Sequence, residues 1–194
     1  MEKDILNINY SLLVIGGSAG SLNVLFDLLP RLDAGLSLSI LIVVHRMPSA
    51  DSQLAELLAS KTPLPVKEAR QNEPILPGTI YLAPADDHLL VEQDRRLTLD
   101  HSPKVHYCRP SIDRTFASAA EVYGPSLVGL LLSGANEDGT DGLRAVRAAG
   151  GLSLAQDPDT AEMAYMPRKA IESGVVNRVL QPEELAETVN GLNA

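Results

Sequence analysis

A hydroxyl, an imidazole and a group of carboxylates each follow directly on an apolar run. Ser18 stands in Gly16-Gly17-Ser18-Ala19-Gly20, after the run 12–15. His45 follows Ile42-Val43-Val44, and Glu137, Asp138 and Asp141 come after the run 127–132, among Gly134, Gly139 and Gly142. A hydroxyl, a base to deprotonate it and a carboxylate to orient the base are what nucleophilic acyl transfer requires. The serine segment fits G-x-S-x-G, in which small neighbours let a strand turn sharply into a helix and expose the serine oxygen. Two other readings compete for it: a phosphate cradle, and a plain turn with serine as the helix N-cap. A dinucleotide site also needs an acid about 20 residues further on, at the end of the second strand. Val43-Val44-His45-Arg46 has none there, and no G-x-x-x-x-G-K-[ST] segment is present.

The remaining candidates are less directed. Spacing alone does not choose among Glu137, Asp138 and Asp141 as the partner of His45, and the loop does not fit an EF-hand. His88, His101 and His106 fall in a region of short alternating runs, where surface or supporting roles are expected. His101, His106 and Cys108 lack zinc-ligand spacing. Nothing in the sequence marks Cys108 as an activated thiolate. The order serine, histidine, acid differs from the α/β-hydrolase order, so a triad here implies a different topology.

The elements that must hold these groups follow from hydrophobic periodicity. "YSLLVI", "LSILIVV", "SLVGLLL" and "LSLAQ" read as strands buried on both faces. Helices are expected at "SLNVLFDLL", closed by Pro30; at "SADSQLAELLAS", with capping residues ahead of Leu54; and at "PSIDRTFASAAEVYG", carrying Ile112, Phe116, Ala120 and Tyr123. Further helices are read at "TDGLRAVRAAG", at "MPRKAIESG", closed by Gly174, and at "PEELAETVNGL". "PILPGTIYLAP" and "HLLVEQDRRLTLD" carry hairpin signals at Pro77-Gly78 and Gln93-Asp94. The expected fold is α/β: a doubly wound, mostly parallel sheet flanked by helices, with an antiparallel hairpin annex. In such sheets ligands bind beyond the carboxyl ends of the strands, where all three candidate loops fall.

Composition sets outer bounds. The 194 residues suit one domain, 1–194, and the net charge of −9 without basic tracts argues against a nucleic-acid or anionic-membrane surface. The polar start is unlike a signal peptide, and no apolar run is long enough to span a bilayer. One cysteine permits no internal disulfide, which suits a reducing cytoplasm.

From about Tyr10 to Leu192 the chain resembles the catalytic domain of the chemotaxis protein-glutamate methylesterase (CheB) family. "GGSAGS", "VVHRMP", "EPILPGTIYLAP", "RPSID", "SGANEDGTDGL" and "MPRKAI" carry the resemblance in order. It implies Ser18 as nucleophile, His45 as general base and Asp138 as orienting carboxylate, with backbone N–H groups of Ala19 and Ala135 as oxyanion donors. It implies hydrolysis of glutamate methyl esters, and deamidation of some glutamines, on chemoreceptor signalling helices, with no cofactor or metal. It also admits a receiver-domain or methyltransferase partner, while no receiver domain is expected ahead of the first strand. The pattern departs at Ala19 and Ser21, where the family usually has Thr and Gly, and at Ala135 and Asn136, where Met and Gly are common. Two alternatives stand beside the esterase: a non-catalytic signalling module, and a serine esterase or amidase with another substrate.

Overall fold

The computed structural model describes residues 9–47 and 53–192. Its centre is a seven-stranded parallel sheet built from β1 (Leu12–Gly17), β2 (Ser39–Val44), β3 (Val66–Glu68), β5 (Ile80–Leu82), β8 (Leu127–Leu131), β9 (Leu152–Gln156) and β10 (Arg178–Leu180), in the spatial order β10-β9-β8-β1-β2-β5-β3. A three-stranded antiparallel sheet, β4 (Glu73–Pro74), β7 (Arg96–Asp100) and β6 (His88–Val91), forms the annex.

Alternate residues of each central strand feed two separate cores. Leu13 and Ile15 of β1, Ile40 and Ile42 of β2 and Leu130 of β8 pack with Leu25 and Leu28 of α1 (Ser21–Leu28) and with Leu185 and Val189 of α6 (Pro182–Gly191). Leu12, Val14, Leu41, Val43 and Leu131 face the other way. They meet Phe116 and Ala120 of α3 (Ile112–Tyr123), Leu143 and Val146 of α4 (Thr140–Ala148), and Met166 of α5 (Tyr165–Glu172). Because both faces are covered, these strands read as continuous apolar runs rather than alternating ones.

Two expectations are revised. The segment around Pro77-Gly78 is not a hairpin: β5 leaves the annex and runs parallel to β2 and β3, while β4 pairs with β7. Tyr81 explains the link. It lies within the parallel sheet, yet its hydroxyl donates to Pro74 O and accepts from Leu76 N, both at 3.0 Å. The edge strands β3 and β10 carry little apolar signal because none of the three residues of β3 and only Leu180 of β10 is fully buried, and neither was expected from periodicity. Helix α2 (Leu54–Ala59) forms where expected, but the capping residues sought at 49–52 lie outside the described residues. Among the described residues no helix is long and apolar enough to cross a membrane.

Candidate active site

β1 lies between β2 and β8, so the loops that leave these three neighbouring strands open at one end of the sheet. The chain leaves β1 through α1 on one face toward β2, and leaves β8 through α4 on the other face toward β9. The crevice beyond such a reversal point is where open α/β sheets bind ligands. Ser18 follows β1, His45 follows β2 and Asp138 lies in the loop after β8.

The serine loop turns tightly for reasons visible in its glycines. A Cβ on Gly16 would stand 2.3 Å from Ile112 Cγ2, at the start of α3, and Gly20 takes φ +82° to enter α1. Ser18 N donates to Ser133 O at 2.8 Å, and Ser18 O accepts from both the amide (3.0 Å) and the hydroxyl (2.6 Å) of Ser21. Ser133 ties the loop down from below: its hydroxyl donates to Ala19 O at 2.7 Å and accepts from Met163 N at 2.9 Å. The Ser18 hydroxyl, half-buried, makes no hydrogen bond among the described residues. The Ala19 and Ala135 N–H groups also make none, although their neighbours Ser18 N and Gly134 N are both bonded.

His45 and Asp138 are brought into contact, with Nε2 to Oδ2 at 2.8 Å. The imidazole is 10% exposed and the carboxylate fully buried. Asp138 is surrounded by donors. Oδ2 accepts from Ile112 N at 2.7 Å as well as from His45; Oδ1 accepts from Asp113 N at 3.0 Å and the Ser111 hydroxyl at 2.9 Å. The first amides of α3 thus take their acceptor from another loop, with the positive end of the helix directed at the carboxylate. Burial pushes the Asp138 carboxyl up, but the bonds from His45, Asp113 N and Ile112 N outweigh it and hold the group below the usual carboxylate range. Since Oδ2 can only accept, Nε2 carries a proton, and Nδ1 is the basic nitrogen of the neutral ring. Burial pulls His45 down, yet its contacts with Asp138 and Cys108 prevail and raise it to about 9.

The arrangement is reciprocal. Asp113, in the first turn of α3, accepts from Gly139 N at 2.8 Å and Gly142 N at 2.7 Å at the start of α4. Burial, then the charge on Asp138, raise Asp113 to about 6 against the pull of those amides. Asp113→Ala strands both N–H groups and is expected to cost about 2–3 kcal/mol in chemical denaturation. Asp113→Asn keeps the acceptor and removes the titration. The wild-type carboxyl rises from an ordinary 3.8 to about 6, so wild-type stability falls as pH climbs through that window. The asparagine variant should lack that slope.

The other sequence candidates are dispersed. His101 pairs with Asp87, and His106 lies 3.4 Å from Asp113 and 3.7 Å from Glu137. Asp141 pairs with Arg144 on the surface. Among the described residues no group of three or more His, Cys, Asp or Glu side chains could hold a metal ion. His88 is fully buried rather than on the surface: its Nε2 donates to Pro103 O at 3.1 Å and its Nδ1 accepts from Ser111 N at 3.1 Å, fixing the residue that bonds Asp138. Cys108, whose spacing suggested nothing, lies with Sγ 3.4 Å from His45 Nδ1. The supporting roles of Ser111, Asp113 and His88 carry no sequence signal beyond "RPSID" itself, because they depend on packing α3 against the loop after β8.

Comparison with known proteins agrees with this architecture. The family model described as CheB methylesterase matches residues 13–189. A Leptospira interrogans relative is 42% identical over 180 residues, covering 93% of each chain. The protein-glutamate methylesterase/protein-glutamine glutaminase of Symbiobacterium thermophilum is 36% identical over 178 residues, which are 92% of this chain and 49% of that protein. The crystal structure of the Thermotoga maritima CheB methylesterase catalytic domain superposes with a TM-score of 0.90 at 34% identity, covering 95% of this chain and 100% of that one.

Proposed function

This chain belongs to the CheB methylesterase family, and from that premise we propose that it is a protein-glutamate methylesterase, with protein-glutamine glutaminase activity, acting on chemoreceptor signalling helices in the cytoplasm. Ser18 is the nucleophile, His45 the general base and Asp138 the carboxylate that orients the base. The observation that carries the reading is the 2.8 Å pairing of a buried carboxylate with His45, beside a serine hydroxyl that makes no bond of its own among the described residues.

Chemistry follows from the tautomer. With Nε2–H held by Asp138, Nδ1 takes the Ser18 proton as the oxygen attacks the ester carbonyl. The tetrahedral oxyanion is met by the Ala19 and Ala135 N–H groups, which have no other acceptor among the described residues. Its collapse, with the proton passing from Nδ1 to the departing oxygen, releases methanol and leaves a glutamyl-serine ester. Water activated by the same nitrogen then frees Ser18 and a glutamate carboxylate. A glutamine amide would follow the same course with ammonia as leaving group.

Incubating the protein with methylated receptor and following methanol tests the proposal. Release above buffer, with a fluorophosphonate label on the Ser18 peptide in mass spectrometry, supports it. Labelling without methanol release sinks the glutamyl-ester reading in favour of another acyl substrate; neither signal sinks the hydrolase itself.

A further inference from the structure

The chain's one cysteine closes a ring of hydrogen bonds around the base. From the Asp138 main chain, N–H donates to Asn136 Oδ1 at 3.2 Å. Asn136 Nδ2 donates to Cys108 Sγ at 3.3 Å, and Sγ lies 3.4 Å from His45 Nδ1. His45 Nε2 returns to the Asp138 carboxylate at 2.8 Å. Nδ1 is the nitrogen that must receive the Ser18 proton, and in the neutral ring it has a single lone pair. It cannot accept from the thiol and from the Ser18 hydroxyl together, and among the described residues the Ser18 hydroxyl is the one left without a partner.

We infer that Cys108 is a positioning residue that holds Nδ1 of His45 away from Ser18 in the resting protein, with Asn136 as the clamp that keeps the thiol in place. This rests on His45 being the base of the proposed reaction. A thiol is a weak hydrogen-bond partner, so it fixes the ring yet yields Nδ1 to a stronger donor once substrate orders Ser18. Among the described residues Asn136 makes both of its side-chain bonds inside this ring. The contact also favours the imidazolium, because sulfur can accept from Nδ1–H and an empty site cannot. Other charges facing the ring are Asp138 with Asp113 behind it, Arg46, Asp86, Lys104 and Arg109 in the hollow on the Cys108 side, and Glu162 in the hollow on the Ser18 side. None of them is altered by removing the thiol.

The test is an NMR titration of the His45 ring C–H signals in the wild type and in Cys108→Ala, with His45→Gln identifying the resonance among four histidines. It is run beside the pH dependence of Ser18-dependent methanol release. The ring of the variant should titrate at lower pH, and the acid limb of kcat/KM should move down with it. A fall of about one unit gives roughly a tenfold rise in kcat/KM at a pH below both values. Asn136→Ala should shift both readouts the same way by less, and it carries the test if Cys108→Ala does not fold. A His45 titration unchanged within about 0.3 units overturns the inference. So does a lowered titration with reduced activity at neutral pH, since the thiol would then be supporting the base rather than withholding it. A shifted titration with no Ser18-dependent hydrolysis in either protein upholds the contact and overturns the esterase reading instead.

Discussion

Ser18→Ala is expected to lower kcat for methanol release by about 10⁴- to 10⁶-fold while leaving the folded protein intact. The two halves of that expectation have separate origins. Among the described residues every hydrogen bond made by residue 18 comes from its backbone: the N–H donates to Ser133 O, and the C=O accepts from the Ser21 amide and hydroxyl. Alanine keeps all three. The half-buried hydroxyl bonds to nothing among the described residues, so its removal should change stability by no more than about 0.5 kcal/mol. A large loss of turnover with an unchanged melting curve therefore isolates chemistry from folding. Retention of activity within tenfold would remove Ser18 as nucleophile, because no second hydroxyl shares its position at the end of β1.

Asp138→Asn should behave in the opposite way, losing both properties together. Each carboxylate oxygen accepts two bonds: Oδ1 from Ser111 Oγ and Asp113 N, Oδ2 from Ile112 N and His45 Nε2. An asparagine must present its NH₂ on one side, and a backbone N–H waits on either. Facing Ile112 and His45, the amide would also drive the imidazole to carry its proton on Nδ1, which removes the base. We expect kcat to fall by about 10⁴-fold, as when a triad aspartate is amidated. Stability should fall by about 2–4 kcal/mol from buried donors set against one another. Stopped assays and urea denaturation on the same preparation check both. A variant that loses stability but keeps activity would show that Asp138 serves the helices alone.

How far the sequence revealed this depends on what each residue's role is made of. Ser18 and His45 were legible because their signal is local: a small-residue turn after one buried strand, a polar residue ending another. The parallel sheet was legible for the same reason, since strands covered on both faces read as unbroken apolar runs. The choice of Asp138 over Glu137 and Asp141 was not contained in spacing and came through resemblance. In the fold, Asp138 is the acid of these three that is fully buried beneath His45, while Asp141 pairs with Arg144 and Glu137 faces His106. Burial of a loop residue by a helix that starts 26 positions earlier, at Ile112, leaves no periodic trace. The Cys108 contact was invisible for the same reason: it joins a loop ahead of α3 to the end of β2, 63 residues away. The course of β5 was misread because Pro77-Gly78 marks a turn without saying which sheet the next strand joins.

The exchange of acceptors between the starts of α3 and α4 bears on how lost function would look in a descendant of this protein. Asp138 is bound to the fold by four donors, so a copy that no longer hydrolysed anything would still suffer by losing it. Its persistence would say little about activity. Among the described residues the Ser18 hydroxyl has no such second employment. Among decayed relatives, the serine is the residue whose disappearance would record the end of catalysis, and the aspartate would outlast it.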